Sequence, residues 1–154
     1  MMIRKAQKKD IPALERLLQQ VLMVHHNGRP DLFSNTNKYT EKELEEILQD
    51  DEKPVLVYEE DGEVLGYCFG MIQTESSNNL QELKTLYIDD LCVEEGQRKK
   101  GIGTKLLKAM EELAKSENCY HITLNVWAFN DTAERFYRDQ GLKPLKTYLE
   151  KIIK

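Results

Sequence analysis

Between residues 97 and 104 the chain reads Gln97-Arg98-Lys99-Lys100-Gly101-Ile102-Gly103-Thr104, a run of cations and glycines that passes directly into a helical pattern. Such a junction suits an anion. The first backbone N–H groups of a helix have no partner inside it, and the macrodipole adds positive potential at that end. Gly101 and Gly103 carry no Cβ and let oxygens approach the backbone. Arg98, Lys99, Lys100 and Lys105 concentrate positive charge in a protein whose net charge is -5. A diphosphate is the guest that fits this chemistry. Gly96 and Gly101 are spaced as in the P-loop G-x-x-x-x-G-K-[ST], but Ile102 and Gly103 stand where Lys and Ser or Thr are needed, which argues against a nucleotide triphosphatase. Gly101-x-Gly103 opens a dinucleotide fingerprint, but Leu106 takes the third glycine position and no βαβ half precedes it. Taken alone, a glycine turn before a helix can also be a turn and nothing more.

The elements that must hold this turn are visible as periodicities. Met2–Ala6 alternates as a short strand, and Ile11, Leu14, Leu17, Leu18, Val21 and Leu22 recur at helical spacing behind Asp10, an N-cap residue type, and Pro12. His25–Asp31 breaks the pattern. Thr40-Glu41-Lys42-Glu43 is a capping box for a second helix to about Gln49. Pro54–Glu60 and Val64–Ile72, joined by Asp61-Gly62, form a hairpin. A polar loop at Glu75–Asn79 leads to Leu83–Val93, read as the central strand. A helix through Ile102, Leu106, Leu107, Met110, Leu113 and Ala114 follows, then a strand over His121–Val126 and a helix over 130–139 stopped by Gly141. Alternation over Leu145–Ile153 predicts a closing strand. The order βααβββαβαβ implies an α/β fold, a mixed, largely antiparallel sheet with helices on both faces.

The 154 residues predict one domain spanning 1–154, with no apolar run long enough to span a bilayer. Residues 1–10 have no apolar h-region behind their positive charge, so the expected compartment is the cytoplasm. Cys68, Cys92 and Cys119 are widely spaced and form neither a C-x-x-C pair nor a metal cluster; no metal is expected, and buried free thiols are the better reading. The acidic balance argues against nucleic acid and favours a cationic acceptor.

Two ordered signatures connect these observations. Arg98-x-x-Gly101-x-Gly103 resembles the [Q/R]-x-x-G-x-[G/A] signature of the GCN5-related N-acetyltransferase (GNAT) superfamily and follows Leu91-Cys92-Val93 at that family's spacing. About thirty residues on, Asn130–Leu142 is similar to its N-x-x-A-x-x-F-Y-x-x-x-G-[FL] segment. The resemblance implies acetyl-CoA as co-substrate, transfer to a primary amine on a small molecule or peptide by direct attack in a ternary complex, and frequent homodimerisation. It further implies that backbone groups of Leu91, Cys92 and Val93 pair with pantetheine, that Arg98, Lys99, Lys100, Gly101, Ile102, Gly103 and Thr104 hold the pyrophosphate, and that Asn130, Ala133 and Phe136 line the arm and thiol end. A degenerate relative that binds acyl-CoA without transferring anything is the alternative.

By the same resemblance Tyr137 is the acid that protonates the departing sulfur, a role open to a phenol within hydrogen-bond reach. A buried tyrosine satisfied by a carbonyl is the competing reading. The Val93 N–H would polarise the thioester carbonyl. Asp89 and Asp90 precede Leu91, and strict alternation would turn one to each face of the sheet. Either could be general base, acceptor-binding anion or solvated charge. His25 and His26, with Arg29 and Asp31, fall where family members build the acceptor site, while His121 reads as a surface or capping residue.

Overall fold

In the computed structural model, which describes residues 1–154, the patterns resolve into β1 (Met2–Lys5), a 3-10 turn (Lys8–Asp10), α1 (Ile11–Gly28), α2 (Glu41–Leu48), β2 (Val55–Glu60), β3 (Glu63–Ser77), β4 (Leu80–Val93), α3 (Ile102–Ser116), β5 (His121–Leu124) and α4 (Asp131–Asp139). The strands lie in the order β1-β2-β3-β4-β5, antiparallel except for the parallel pair β4 and β5. A parallel pair needs a crossover, and α3 supplies it. No helix is long and apolar enough to cross a membrane.

Each face of the sheet buries its own core. On one, Ile11, Leu14, Leu17 and Leu18 of α1 and Leu44 of α2 meet Val55, Val57, Tyr67, Phe69 and Cys92. On the other, Ile102, Leu106, Leu107 and Met110 of α3 meet Leu56, Cys68, Leu86 and Ile88, with Phe136 and Tyr137 of α4 packed at the margin. Two close approaches set the depth of that second layer. A Cβ at Gly66 would lie 3.0 Å from Leu106, and one at Gly70 would lie 3.2 Å from Leu86 and Met110.

The helix starts follow the sequence in one case and depart from it in the other. Thr40 and Glu43 form the reciprocal box expected, with the Glu43 N–H donating to Thr40 Oγ1 at 3.1 Å and the Thr40 N–H to Glu43 Oε1 at 3.0 Å. Asp10 does not cap α1. Its buried carboxylate accepts both Arg4 nitrogens, at 2.8 and 2.9 Å, and the Gln7 N–H at 2.7 Å, tying β1 to the start of α1.

Two boundaries differ from the sequence reading. The polar loop expected at 75–79 is a tight turn, because β3 continues to Ser77 and β4 begins at Leu80. The closing strand expected at Leu145–Ile153 is not formed; the element order stops at α4, and Leu145, Tyr148 and Leu149 are 73%, 92% and 83% exposed. Alternation makes a segment competent to pair, but pairing also requires an edge alongside it. Beyond Gly141 the chain leaves the sheet, and Glu150 meets Arg29 at 2.9 Å.

Candidate active site

β4 holds the centre of the site because it is regular at one end and interrupted at the other. Thr85–Ile88 pair with His121–Leu124 of β5, and there the pairing stops. On its other side β4 stays bonded to β3, but the register slips: Ile88 opposes Gly70 and Asp90 opposes Phe69, leaving Asp89 as an extra residue. This is a β-bulge, which bends a strand and sharpens its twist. Past it the ladder to β5, which ends at Leu124, does not resume, and that side of β4 is left as an unpaired wedge.

The bulge corrects the expectation that the two aspartates face opposite layers. Asp90, opposite Phe69, faces the α1/α2 layer, where its Oδ2 accepts the Tyr67 hydroxyl at 2.7 Å. Asp89 turns the same way and accepts the Tyr39 hydroxyl at 2.7 Å and Lys38 Nζ at 3.0 Å. Burial raises the Asp90 carboxyl above the ordinary carboxylate range, against the opposing pull of its Tyr67 hydrogen bond. The same burial, with Asp89 next in effect, holds the Tyr39 phenol well above its ordinary value.

The ladder also sorts the backbone groups of β4. The Glu94 N–H donates to Leu65 O on β3, so by alternation Cys92 faces β3 while Leu91 and Val93 turn their N–H and C=O groups into the wedge. Leu91 thus presents free backbone groups and Val93 a free N–H, its carbonyl accepting from Arg98, whereas Cys92 is turned to β3, which corrects the expectation for Cys92. Its thiol points into the α1 layer, with Sγ 3.6 Å from Leu17 O, and burial pushes it up to about 12. A group so placed is no thiolate nucleophile.

The turn from Glu94 to Gly101 closes the far end of the wedge. Gly96, Lys99 and Gly101 have φ of 87°, 69° and 80°, so the backbone turns on itself immediately ahead of Ile102, the first residue of α3. Nothing approaches a Cβ at Gly101, where the need for glycine is conformational. Gly103 is different. A Cβ there would meet the Phe136 ring at 3.2 Å, so its missing side chain lets α4 pack on α3. Arg98 folds back, its Nε donating to Val93 O at 3.3 Å, while Lys99 and Lys100 are exposed. Thr104 accepts from Gln140 at 3.0 Å, a second tie between α3 and α4.

α4 forms the opposite wall. Asn130 Oδ1 accepts the Ala133 N–H at 3.2 Å, capping the helix, so its amide nitrogen is the group left for a ligand. Ala133, Phe136 and Tyr137 are half-buried on the inner side, and the Phe136 and Tyr137 rings meet edge to face at 5.1 Å. Burial first, then the nearby Cys68, Asp90 and Cys92, holds the Tyr137 phenol well above its usual value. Its hydroxyl has no partner among the protein's hydrogen bonds, yet no buried polar side-chain atom lacks one. The oxygen is therefore not sealed from solvent and no carbonyl accepts from it, which removes the reading of Tyr137 as a tyrosine satisfied by a carbonyl.

Above the wedge stands an aromatic group that sequence patterning does not reveal. His25 stacks on Phe33 at 4.9 Å, Phe33 meets Trp127 edge-on at 4.9 Å, and Trp127 lies 6.1 Å from Phe129. His26 Nδ1 lies 2.8 Å from Phe33 O. These contacts fasten the loop after α1 to the loop before α4. His121 stands apart, its Nε2 2.8 Å from Thr85 Oγ1 at the paired end of the strands.

The fold that positions these residues is one that known proteins share. The family model of the acetyltransferase (GNAT) family matches residues 21–142. The chain belongs to that family. An N-alpha-acetyltransferase of Sulfurisphaera tokodaii is 38% identical over 109 residues, 66% of this chain and 63% of the relative, so the match spans under two thirds of that protein. An uncharacterized N-acetyltransferase of Archaeoglobus fulgidus is 30% identical over 93% of both chains. Among solved structures, a mutant of the BH1408 protein from Bacillus halodurans superposes with a TM-score of 0.95 at 31% identity over 99% of each chain. An aminoglycoside N-acetyltransferase in complex with CoA shares the fold, with a TM-score of 0.74 at 15% identity over 99% of each chain.

Proposed function

We propose that residues 1–154 form one N-acetyltransferase domain that moves an acetyl group from acetyl-CoA to a primary amine, carried by a small molecule or a peptide, by direct attack in a ternary complex. The observation that carries this reading is the wedge, where the Leu91 and Val93 backbone turns away from β3 and finds no partner on β5. An extended amide-bearing arm such as pantetheine pairs there as an added strand would. The turn over Arg98–Thr104 then receives the pyrophosphate on backbone N–H groups at the start of α3.

In this reading the Val93 N–H polarises the thioester carbonyl, and the amine lone pair attacks its carbon. As the C–S bond breaks, Tyr137 protonates the sulfur; a phenol held well above its ordinary value keeps its proton until charge develops on the thiolate. The amine must shed a proton, and Asp90, whose proton affinity burial raises, is the acceptor. Asp89 fastens the Lys38-Tyr39 loop over the acceptor side. The free thiols Cys68, Cys92 and Cys119 accord with a reducing compartment, the cytoplasm.

The test is a panel of primary amines, with release of free CoA thiol as the readout, run on the wild type and on Tyr137→Phe. Turnover that falls about tenfold or more in Tyr137→Phe while CoA affinity holds supports the acid role; equal rates overturn it. Tight CoA binding with no turnover on any amine assigns the chain to the binding-only alternative.

A further inference from the structure

Tyr67 is fully buried on β3 and donates its hydroxyl to Asp90 Oδ2 at 2.7 Å. The contact runs along a diagonal of the ladder, since Tyr67 opposes Cys92 while Asp90 opposes Phe69. Diagonal neighbours on one face lie within reach of a long aromatic side chain. Phe69 fixes the ring. It meets Tyr67 edge to face at 4.9 Å and lies nearly parallel to Tyr39 at 6.0 Å, so one buried phenylalanine holds both of the tyrosines whose hydroxyls go to the two aspartates.

The two carboxylates are held differently. Asp89 Oδ2 takes Lys38 Nζ as well as the Tyr39 hydroxyl, an ion pair that fixes its charge. Asp90 is in no ion pair, and the Tyr67 hydroxyl is what secures it. A phenylalanine at position 67 would fill the same volume with no polar group to satisfy, so what the hydroxyl adds is its hold on Asp90. A carboxylate has two oxygens, and a donor on one leaves the other to take a proton. On the reading that Asp90 accepts the proton of the amine, we infer that Tyr67 is a positioning residue for the transfer, its hydroxyl holding one oxygen of Asp90 and aiming the other at the acceptor.

The same hydrogen bond keeps the base empty. A buried carboxyl retains its proton, and a base must lose that proton before it can accept another. Burial is the largest influence on Asp90 and raises it; the Tyr67 hydrogen bond comes next and lowers it. Around Asp90 stand Tyr67 and Cys68 of β3, Lys38 and Tyr39 from the loop before α2, Asp89 and Cys92 of β4, and Tyr137 of α4. α1 and α2 turn apolar side chains to this layer. Lys38 and the Leu91 N–H join Tyr67 in favouring the charged carboxylate, and Asp89 opposes it. Removing the hydroxyl therefore raises Asp90, and the ionised base is then available only at higher pH.

The pH dependence of kcat, at saturating acetyl-CoA and acceptor amine, reads the groups of the ternary complex and tests this in wild type and Tyr67→Phe. The amine is the same in both, so its own titration cancels. The expected result for Tyr67→Phe is an ascending limb moved up by about one pH unit, with turnover about tenfold lower below the limb and the gap narrowing above it. In an Asp90→Asn background, Tyr67→Phe is expected to leave the profile of the residual turnover where it is. A loss in Tyr67→Phe that is the same at every pH, or a limb that does not move, overturns the inference while the proposed transfer stands. A wild type that acetylates no amine overturns both. Carbon-13 NMR of the wild type needs no variant: Tyr67 Cζ is expected to titrate at the midpoint of the Asp90 carboxyl. A Cζ signal that stays still through that titration overturns the inference, even where Tyr67→Phe fails to fold.

Discussion

Phe136 occupies the space a side chain at Gly103 would need, its ring carbon 3.2 Å from the Cβ position. This contact sets how closely α4 approaches α3. Gly103→Val, adding a branched side chain to a filled gap, is expected to cost about 2 kcal/mol in urea unfolding. In a Phe136→Ala background that cost is expected to shrink by at least about 0.5 kcal/mol, since the two positions share one volume. Additive losses would show that the helices are held apart by something else.

Gly101 and Lys99 sit in the same left-handed region with different side chains, so they respond in opposite senses. Gly101→Ala is expected to lower stability by about 1 kcal/mol, and Lys99→Gly to raise it by a similar amount. Denaturant midpoints for the pair measure this. Under the proposed function Gly101→Ala also weakens CoA binding about tenfold, read by calorimetry, because it re-aims the N–H groups ahead of α3.

Asp90 is held above the ordinary carboxylate range, chiefly by burial. Its protonated form is therefore favoured in the folded chain. Its contribution to stability is at its best below the unfolded value near 4, and stability is lost as pH rises from there through the folded value. Asp90→Asn keeps an acceptor for Tyr67 and cannot ionise. The expected outcome is a higher Tm than wild type at neutral pH, with the gap closing toward about pH 4. A gap that widens on acidification would reverse the assignment.

Tyr39, Tyr67 and Tyr137 are all pushed upward by burial. None should ionise where an exposed phenol does. Ultraviolet titration to about pH 11 is expected to give the same amplitude for wild type and Tyr137→Phe. A lost fraction of the signal in the variant would mean that Tyr137 titrates normally and has an ordinary, solvated environment.

The elements were largely legible because their signals are local. The stripe from Ile11 to Leu22, the box at Thr40 and Glu43, the Asp61-Gly62 turn and the run after Gly101 each announce themselves within a few residues. What escaped was non-local. Asp89 finds Lys38 and Tyr39 some fifty residues away, and Asp90 finds Tyr67 only because β3 and β4 slip by one residue. The aromatic group of His25, Phe33, Trp127 and Phe129 draws on the end of α1 and two loops and has no period. Gly103 was legible as a glycine that matters, but the reason lies on another helix. The segment after Pro144 reads as a closing strand from its alternation and does not form one, because pairing depends on an edge that no pattern within it can report.

The extra residue in β4 makes the strand tolerant of a change that usually ruins a central strand. Because Asp89 and Asp90 are identical and one of them stands outside the ladder, a chain carrying a single aspartate would keep Ile88, Leu91, Cys92 and Val93 opposite their present partners. Both cores would survive the deletion. The bend would not, and β4 could run on beside β5 past Leu124. Such a shortened protein separates two properties that substitutions tend to confound: it would fold as this one does, and under the proposed function it would have nowhere to admit the arm of a coenzyme.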